Sequence, residues 1–306
     1  MRRRAVDYAV YLLVRVLICI VQALSLETGA RLARGLAWLL ADVLKVRGRV
    51  VEENLRHAFP TWSAGQRAET ARTMWEHLFL LVLEVAHTPR KLHETNWRSM
   101  VALRNHEALV RLLVADRPTL LVTGHFGNFE VAGYVLGILG FPTFTVARTL
   151  DNPYLDCFVN AFRGRTGQHI IPKTGGYEEI VAVLSGCGTM TLLADQYAGP
   201  KGCWVDFFGR PASAYKSIAL LALDFEAPLY VCAARRLEGP MRFELAVHAR
   251  YDPAVDLEPA RGVAEITQWY TRALEGIIRR EPSQYWWIHR RWKDTRPSRI
   301  RRKAAA

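Results

Sequence analysis

From residue 119 onward the chain alternates between apolar runs too short to be helices and longer stretches patterned as helices. TLLVT (119–123), PTFTV (142–146), TMTLL (189–193), PLYVCAA (228–234) and FELAVH (243–248) have strand length. Segments 129–140, 153–164, 176–186 and 213–225, which lie between most of them, read as helices. A strand that leaves through a helix returns parallel to itself, and a strand buried on both faces reads as a continuous apolar run. The alternation therefore predicts an α/β fold: a mixed, largely parallel central sheet flanked by helices. Two further helices are legible. SAGQ at 63–66 is a capping box opening a helix over 63–87, and AEITQWYTRALEGIIRR (264–280) is amphipathic through Ile266, Trp269, Tyr270, Ala273, Leu274, Ile277 and Ile278. No internal repeat or long Gly/Ser linker divides the 306 residues, so residues 27–306 read as one domain behind an N-terminal segment, 1–26.

That segment carries Arg2, Arg3 and Arg4, then YAVYLLVRVLICIVQALSL (8–26), interrupted only by Arg15 and Gln22. A bilayer core needs about 20 helical residues, which this stretch just supplies. Arg15 would cost roughly 2.5–3.5 kcal/mol at the bilayer centre, less if its stem snorkels to an interface. The segment is thus either a single anchor or a deeply seated interfacial helix, with a buried soluble helix as the alternative. The leading arginines favour a cytoplasmic N-terminus, and no small-residue cleavage site follows the apolar run. Charge points the same way. Lys and Arg number 41 against 29 Asp and Glu, a net charge of +12, which favours a polyanionic partner, either nucleic acid or anionic lipid. Eight of the cations fall between Arg290 and Lys303, facing a single Asp; beside an anionic leaflet each would contribute about 1 kcal/mol. The five cysteines are scattered and never spaced C-x-x-C, as in a reduced, cytoplasmic protein without a zinc site.

The segment richest in chemistry is TLLVTGHFGNFEVAGYVLG (119–137). The spacing of His125 and Glu130 proves little: with nine histidines and 29 acidic residues roughly one such match is expected by chance, and His289 with Asp294 is a second. Context distinguishes the first. On a regular helix the two side chains would stand about 140° apart, but His125 directly follows a strand-like run and the helical pattern starts only near Phe129. Glu130, in the first helical turn, could then reach back to one ring nitrogen, with Gly124 and Gly127 permitting the tight path. A carboxylate so placed fixes the imidazole tautomer and strengthens the other nitrogen as a base toward a substrate hydroxyl. The turn offers no Ser or Cys nucleophile and the chain has no G-x-S-x-G, so direct transfer fits better than a covalent intermediate. A structural histidine satisfied by backbone is the competing reading.

GHFGNFE after an apolar strand resembles the H-x4-D/E motif of the lysophospholipid acyltransferase superfamily, and most of all the bacterial late acyltransferases of lipid A biosynthesis and their relatives that acylate phosphatidylinositol mannosides. VVEENLRHAFP (50–60), ARTLDNPYLD (147–156), LLADQYAGPKG (192–202) and PSQYWWIHRRWK (282–293) resemble that family's segments in its order. The resemblance implies a glycerolipid acyltransferase-like fold, with His125 as general base and Glu130 as its orienting partner. It implies that Arg148 binds a phosphate or the developing oxyanion, that Asp195 orients Arg148 or holds the acceptor, and, more weakly, that Arg165 binds anionic substrate. The donor would be an acyl thioester of acyl carrier protein or coenzyme A, activated enough to need no metal or other cofactor. The acceptor would be a glycolipid hydroxyl, on a lipid A precursor or alternatively on a phosphatidylinositol mannoside or another polar lipid. The enzyme would act at an anionic membrane surface, on the cytoplasmic side of the inner membrane. The rival reading, a basic nucleic-acid-binding protein, gives the apolar N-terminus and the glycine-framed His turn no purpose.

Overall fold

The computed structural model describes residues 2–293; the basic run beyond Lys293, and with it Asp294, lies outside the described residues. Four helices come first: α1 (Arg2–Ala23), α2 (Leu26–Trp38), α3 (Gly48–Ala58) and α4 (Ala64–Lys91). Then follow β1 (Val101–Arg104), α5 (His106–Leu113), β2 (Thr119–Thr123), α6 (Phe129–Ile138), β3 (Thr143–Ala147), α7 (Pro153–Gly164), β4 (Gln168–Pro172), α8 (Tyr177–Ser185) and β5 (Thr189–Leu193). A hairpin, β6 (Cys203–Phe207) and β7 (Arg210–Ala214), leads to α9 (Lys216–Asp224), β8 (Leu229–Arg236), β9 (Phe243–Tyr251) and α10 (Val263–Arg280).

Among the described residues seven strands form one sheet in the order β1-β9-β8-β2-β5-β3-β4. Every neighbouring pair is parallel except β8 with β9, whose short connection forces them antiparallel. This is the mixed, largely parallel sheet that the alternation predicts. Successive residues of β2 enter opposite faces: Leu120 and Val122 join a cluster with Leu55, Ile218, Tyr270 and Leu274, whereas Leu121 packs with Leu136, Tyr230 and Val247. Such two-sided burial is why TLLVT reads as an uninterrupted apolar run.

The capping box at Ser63 is formed in both directions, Gln66 N–H to Ser63 Oγ and Ser63 N–H to Gln66 Oε1. One expected helix starts late: Ser213 and Ala214, the first residues of the stretch 213–225, belong to β7, and α9 begins only at Lys216. The β6–β7 hairpin turns through Phe208 and Gly209, both at positive φ. A phenylalanine in that conformation carries no turn signal, so sequence reasoning missed the hairpin.

The two ends of the chain are stitched together by α3. Asn54, 7% exposed, donates its side-chain amide to the carbonyls of Trp287 and His289, both at 2.7 Å, and Arg47 Nη1 donates to Ile288 O at 2.9 Å. VVEENL and WWIHRR, nearly 240 residues apart, are therefore one structural unit. Asn54→Ala is expected to cost about 1–3 kcal/mol in denaturant melts, because it removes the amide donor from the Trp287 carbonyl and leaves the His289 carbonyl with only the Arg291 N–H.

Candidate active site

His125 lies two residues beyond the end of β2, and Asp195 lies two residues beyond the end of β5. The strands are parallel neighbours in the register Thr119↔Thr189 through Thr123↔Leu193. The same offset carried past the strand ends sets His125 beside Asp195. The ladder continues part of the way, with Ala194 N–H donating to Thr123 O at 2.8 Å. Asp195 then takes two bonds from one residue: the His125 backbone N–H on Oδ2 at 3.0 Å and His125 Nδ1 on Oδ1 at 2.9 Å. The carboxyl ends of parallel strands are where open α/β sheets bind ligands.

Glycine makes the approach possible. A Cβ on Gly124 would come 3.2 Å from both Cβ and Cγ of Asp195, and Gly127, at φ +58°, would drive a Cβ into the Ala234 carbonyl. The rest of the turn is fixed by Gly127 N–H to Gln284 O, Asn128 N–H to Ala234 O, and Trp286 N–H to His125 O. Asn128 caps α6 through Val131 N–H and donates its own amide to Glu84 Oε2 at 2.8 Å.

The His125 side chain is 14% exposed and the Asp195 side chain 1%. Burial raises the Asp195 pKa, but the His125 charge and hydrogen bonds, with His289 behind them, more than offset it and hold the carboxylate below its usual range, at about 2. Burial likewise disfavours the charged His125 ring. The charge and hydrogen bond of Asp195, helped by Glu130, outweigh it, and the pKa ends above the ordinary histidine value. In the neutral ring Nδ1–H donates to Asp195, which leaves the Nε2 lone pair free.

What faces Nε2 is a second histidine, approached through an amide. Gln196 Nε2 lies 3.2 Å from His125 Nε2 and 3.1 Å from His289 Nε2, and the two imidazole centroids are 5.2 Å apart. Burial, then the His125 charge, lowers the His289 pKa, so this ring stays neutral and can accept from the amide. Trp286 and Phe129 close the remaining sides of His125, each with its ring centroid 5.1 Å away.

A cleft of about 430 Å³ opens from His125 between the sheet and α6, with Leu121, Leu136, Val146, Leu193, Val247 and Trp286 among its walls. Its size and largely apolar lining suit a hydrophobic ligand. A second cleft, of about 810 Å³ and basic, lies beyond His289, and Gln196 belongs to the walls of both.

The structure redistributes the expected roles. Glu130 is not the ring partner of His125. Its carboxylate takes a bidentate ion pair from Arg163 on α7, Nη2–Oε1 at 2.5 Å and Nε–Oε2 at 3.0 Å, a stronger arrangement than one bond to an imidazole. Asp195 does not orient Arg148, since it is buried on His125. Arg148 does line the apolar cleft, but it is largely exposed and paired with Asp151 at 2.9 Å. Arg165 is exposed and outside the cleft wall; Arg163, two residues earlier, occupies it. Sequence reasoning missed Gln196, Arg163 and the part played by His289. The signal for His289 was present, in the second H-x4-acid match and in the HRRWK segment.

The chain is similar to known proteins over most of its length. The model of a protein family described as bacterial lipid A biosynthesis acyltransferase matches residues 1–294. A lipid A biosynthesis lauroyltransferase of Escherichia coli (strain K12) is 25% identical over 88% of this chain and 86% of its own length. A lipid A biosynthesis palmitoleoyltransferase of the same organism is 26% identical over 83% of this chain and 81% of its own. A phosphatidylinositol mannoside acyltransferase of Mycolicibacterium smegmatis is 30% identical over 39% of this chain and 40% of its own.

Proposed function

Because the chain belongs to the bacterial lipid A biosynthesis acyltransferase family, which makes it an O-acyltransferase acting on lipid A-type glycolipids, we propose that it transfers a fatty acyl group directly from a carrier thioester to a glycolipid hydroxyl, with His125 as general base and Asp195 as the group that orients it. The observation that carries this reading is the His125–Asp195 pair at the carboxyl edge of the sheet, with His125 in the wall of an apolar cleft. The acyl chain lies in the cleft. The acceptor hydroxyl takes the place of the Gln196 amide at Nε2, gives its proton to that nitrogen and attacks the thioester carbonyl. The tetrahedral intermediate collapses with cleavage of the C–S bond, and the departing thiolate takes the proton back from the imidazolium. Asp195 stabilises that cation throughout. A thioester brings its own activation, so the step calls for no metal or other cofactor. Acyl carrier protein and coenzyme A both present such a thioester.

Membrane association rests on α1. Residues 4–23 form a helix long and apolar enough to cross a bilayer, and none of these residues is fully buried in the protein. Yet the body holds it near both ends. Asn152 Nδ2 donates to Asp7 O and Tyr8 packs on Tyr154, while Gln22 Nε2 donates to Ala86 O and His87 Nε2 lies 3.1 Å from Val21 O. A helix fastened to one domain near its two ends would have to carry that domain into the hydrocarbon in order to span it. The contacts support a helix lying in the interface, its exposed face of Leu13, Val16, Leu17 and Ile20 in the lipid. On this reading the catalytic domain sits on the cytoplasmic face of the inner membrane, the side that the arginines at the start of the sequence favour.

The test is acyl transfer by the purified full chain from acyl carrier protein and coenzyme A thioesters to a lipid A precursor, with a phosphatidylinositol mannoside as second acceptor. Mass spectrometry should show one added acyl chain on the lipid A precursor. Intact thioester and unmodified lipid in every arm would overturn the proposal. The rate should rise with pH through a limb lying above about 6.5, since the base acts only when neutral and its pKa is raised.

A further inference from the structure

The basic cleft beyond Gln196 is built from three stretches distant in sequence. Lys45, Arg47 and Arg49 come from the entry to α3, Gln196 and Tyr197 follow Asp195, and His289, Arg290 and Lys293 come from the last described segment. Five cationic side chains face one space, and no carboxylate is among the residues that line it. Some of these cations have other work: Arg47 holds the Ile288 carbonyl, Arg49 pairs with Glu53, and Lys293 Nζ sits 5.1 Å from the Tyr197 ring centroid. None of those contacts places a negative charge in the cleft. The amino end of α3 opens there too, through Gly48, Arg49 and Val50, with no acidic residue in its first turn. Positive charge gathered from three segments, together with a helix amino terminus, makes a field suited to a compact polyanion. The chain adopts an awkward course to make it, since Lys45 and Arg47 both sit at positive φ, 48° and 53°.

Position identifies the ligand's place in the reaction. Gln196 is the wall between this cleft and the apolar one, and its amide touches both imidazoles. A group in the basic cleft therefore lies across Gln196 from the apolar cleft in which the acyl chain would sit. Resting on the acyltransfer reading, we propose that this cleft is the phosphate subsite: it holds a phosphate ester of one substrate while that substrate's reacting atom sits at His125. The chemistry is the same whether the phosphate is on the glycolipid acceptor or on the pantetheine arm of the donor.

Lys45→Glu/Lys293→Glu reverses two charges without touching Arg47, which holds the Ile288 carbonyl. A melting temperature equal to wild type establishes that the variant is folded. Steady-state kinetics then use the acceptor with and without its phosphates, and the donor as acyl carrier protein thioester or as a simple N-acetylcysteamine thioester. We expect KM for one phosphate-bearing substrate to rise about tenfold or more, with kcat nearly unchanged. The same substrate stripped of phosphate should show equal KM in the two proteins. The arm in which the rise occurs names the source. Unchanged KM in both arms, or an equal rise for the phosphate-free substrates, overturns the proposal. Absence of transfer by wild type would defeat the acyltransferase reading instead. In that case calorimetry with inorganic pyrophosphate decides the subsite: binding by wild type that the double variant loses supports it, and no binding by wild type overturns it.

Discussion

His125→Ala should lower the acyl-transfer rate by about 10²–10⁴, the usual contribution of a positioned general base, while leaving the protein folded. Asp195→Asn is the sharper experiment. The substitution keeps shape but removes the charge that holds Nδ1–H in place and stabilises the imidazolium, so kcat should fall into the same range. Because Asp195 is what raises the His125 pKa against burial, its loss should also move the rising limb of the pH–rate profile to lower pH. A merely structural aspartate would not move that limb. Glu130→Gln, whose carboxylate is engaged by Arg163, should cost less than Asp195→Asn. If Glu130→Gln proved as damaging and Asp195→Asn nearly silent, the assignment of partners would be wrong.

Glu84→Ala should destabilise the fold by about 3–5 kcal/mol, the typical cost of leaving one member of a buried ion pair without the other. Glu84 is fully buried on α4 and accepts Arg236 Nε at 2.8 Å, Arg236 Nη2 at 2.6 Å, Asn128 Nδ2 at 2.8 Å and the Met241 N–H at 3.2 Å. Arg236, itself 4% exposed, also reaches His77 Nδ1 at 2.6 Å. Burial, and then the Arg236 charge, lowers the pKa of that histidine to about 3, so its ring stays neutral and can accept. With Glu84 gone, a buried guanidinium keeps the His77 imidazole as a hydrogen-bond partner and only the more distant charge of Glu76 to balance it. The double change Glu84→Leu/Arg236→Met removes both charges and should recover part of the loss, as judged by urea unfolding in detergent. A double variant no more stable than Glu84→Ala would show that the stranded charge is not the cause. Asn128 connects this pair to the catalytic turn, so Glu84→Ala should also reduce kcat in protein that is still folded.

The expected pairing of His125 with Glu130 failed for an instructive reason. Five residues apart in a glycine-framed turn, the two groups could be brought together by local geometry alone. The fold instead supplied each with a stronger partner from elsewhere: Asp195 by strand register, and Arg163 by the packing of α7 against α6. Neither competitor is visible within a short window of sequence. His289 was undervalued in the same way, because its H-x4-acid spacing looked accidental. What matters is the distance to Gln196, which depends on Asn54 holding the 287–289 backbone.

The sequence by itself determined the class of fold, the positions of β2 and β5 to the residue, and the glycine-framed turn that carries His125. Those features are local: apolar periodicity, glycines where the backbone needs them, and a cap where a helix starts. Only the tertiary structure decided which carboxylate serves the histidine, which arginine faces the cleft and where the second histidine lies. Those choices turn on contacts between segments 33 to 93 residues apart, and such contacts are fixed by the order and register of strands in the sheet, which no local pattern encodes.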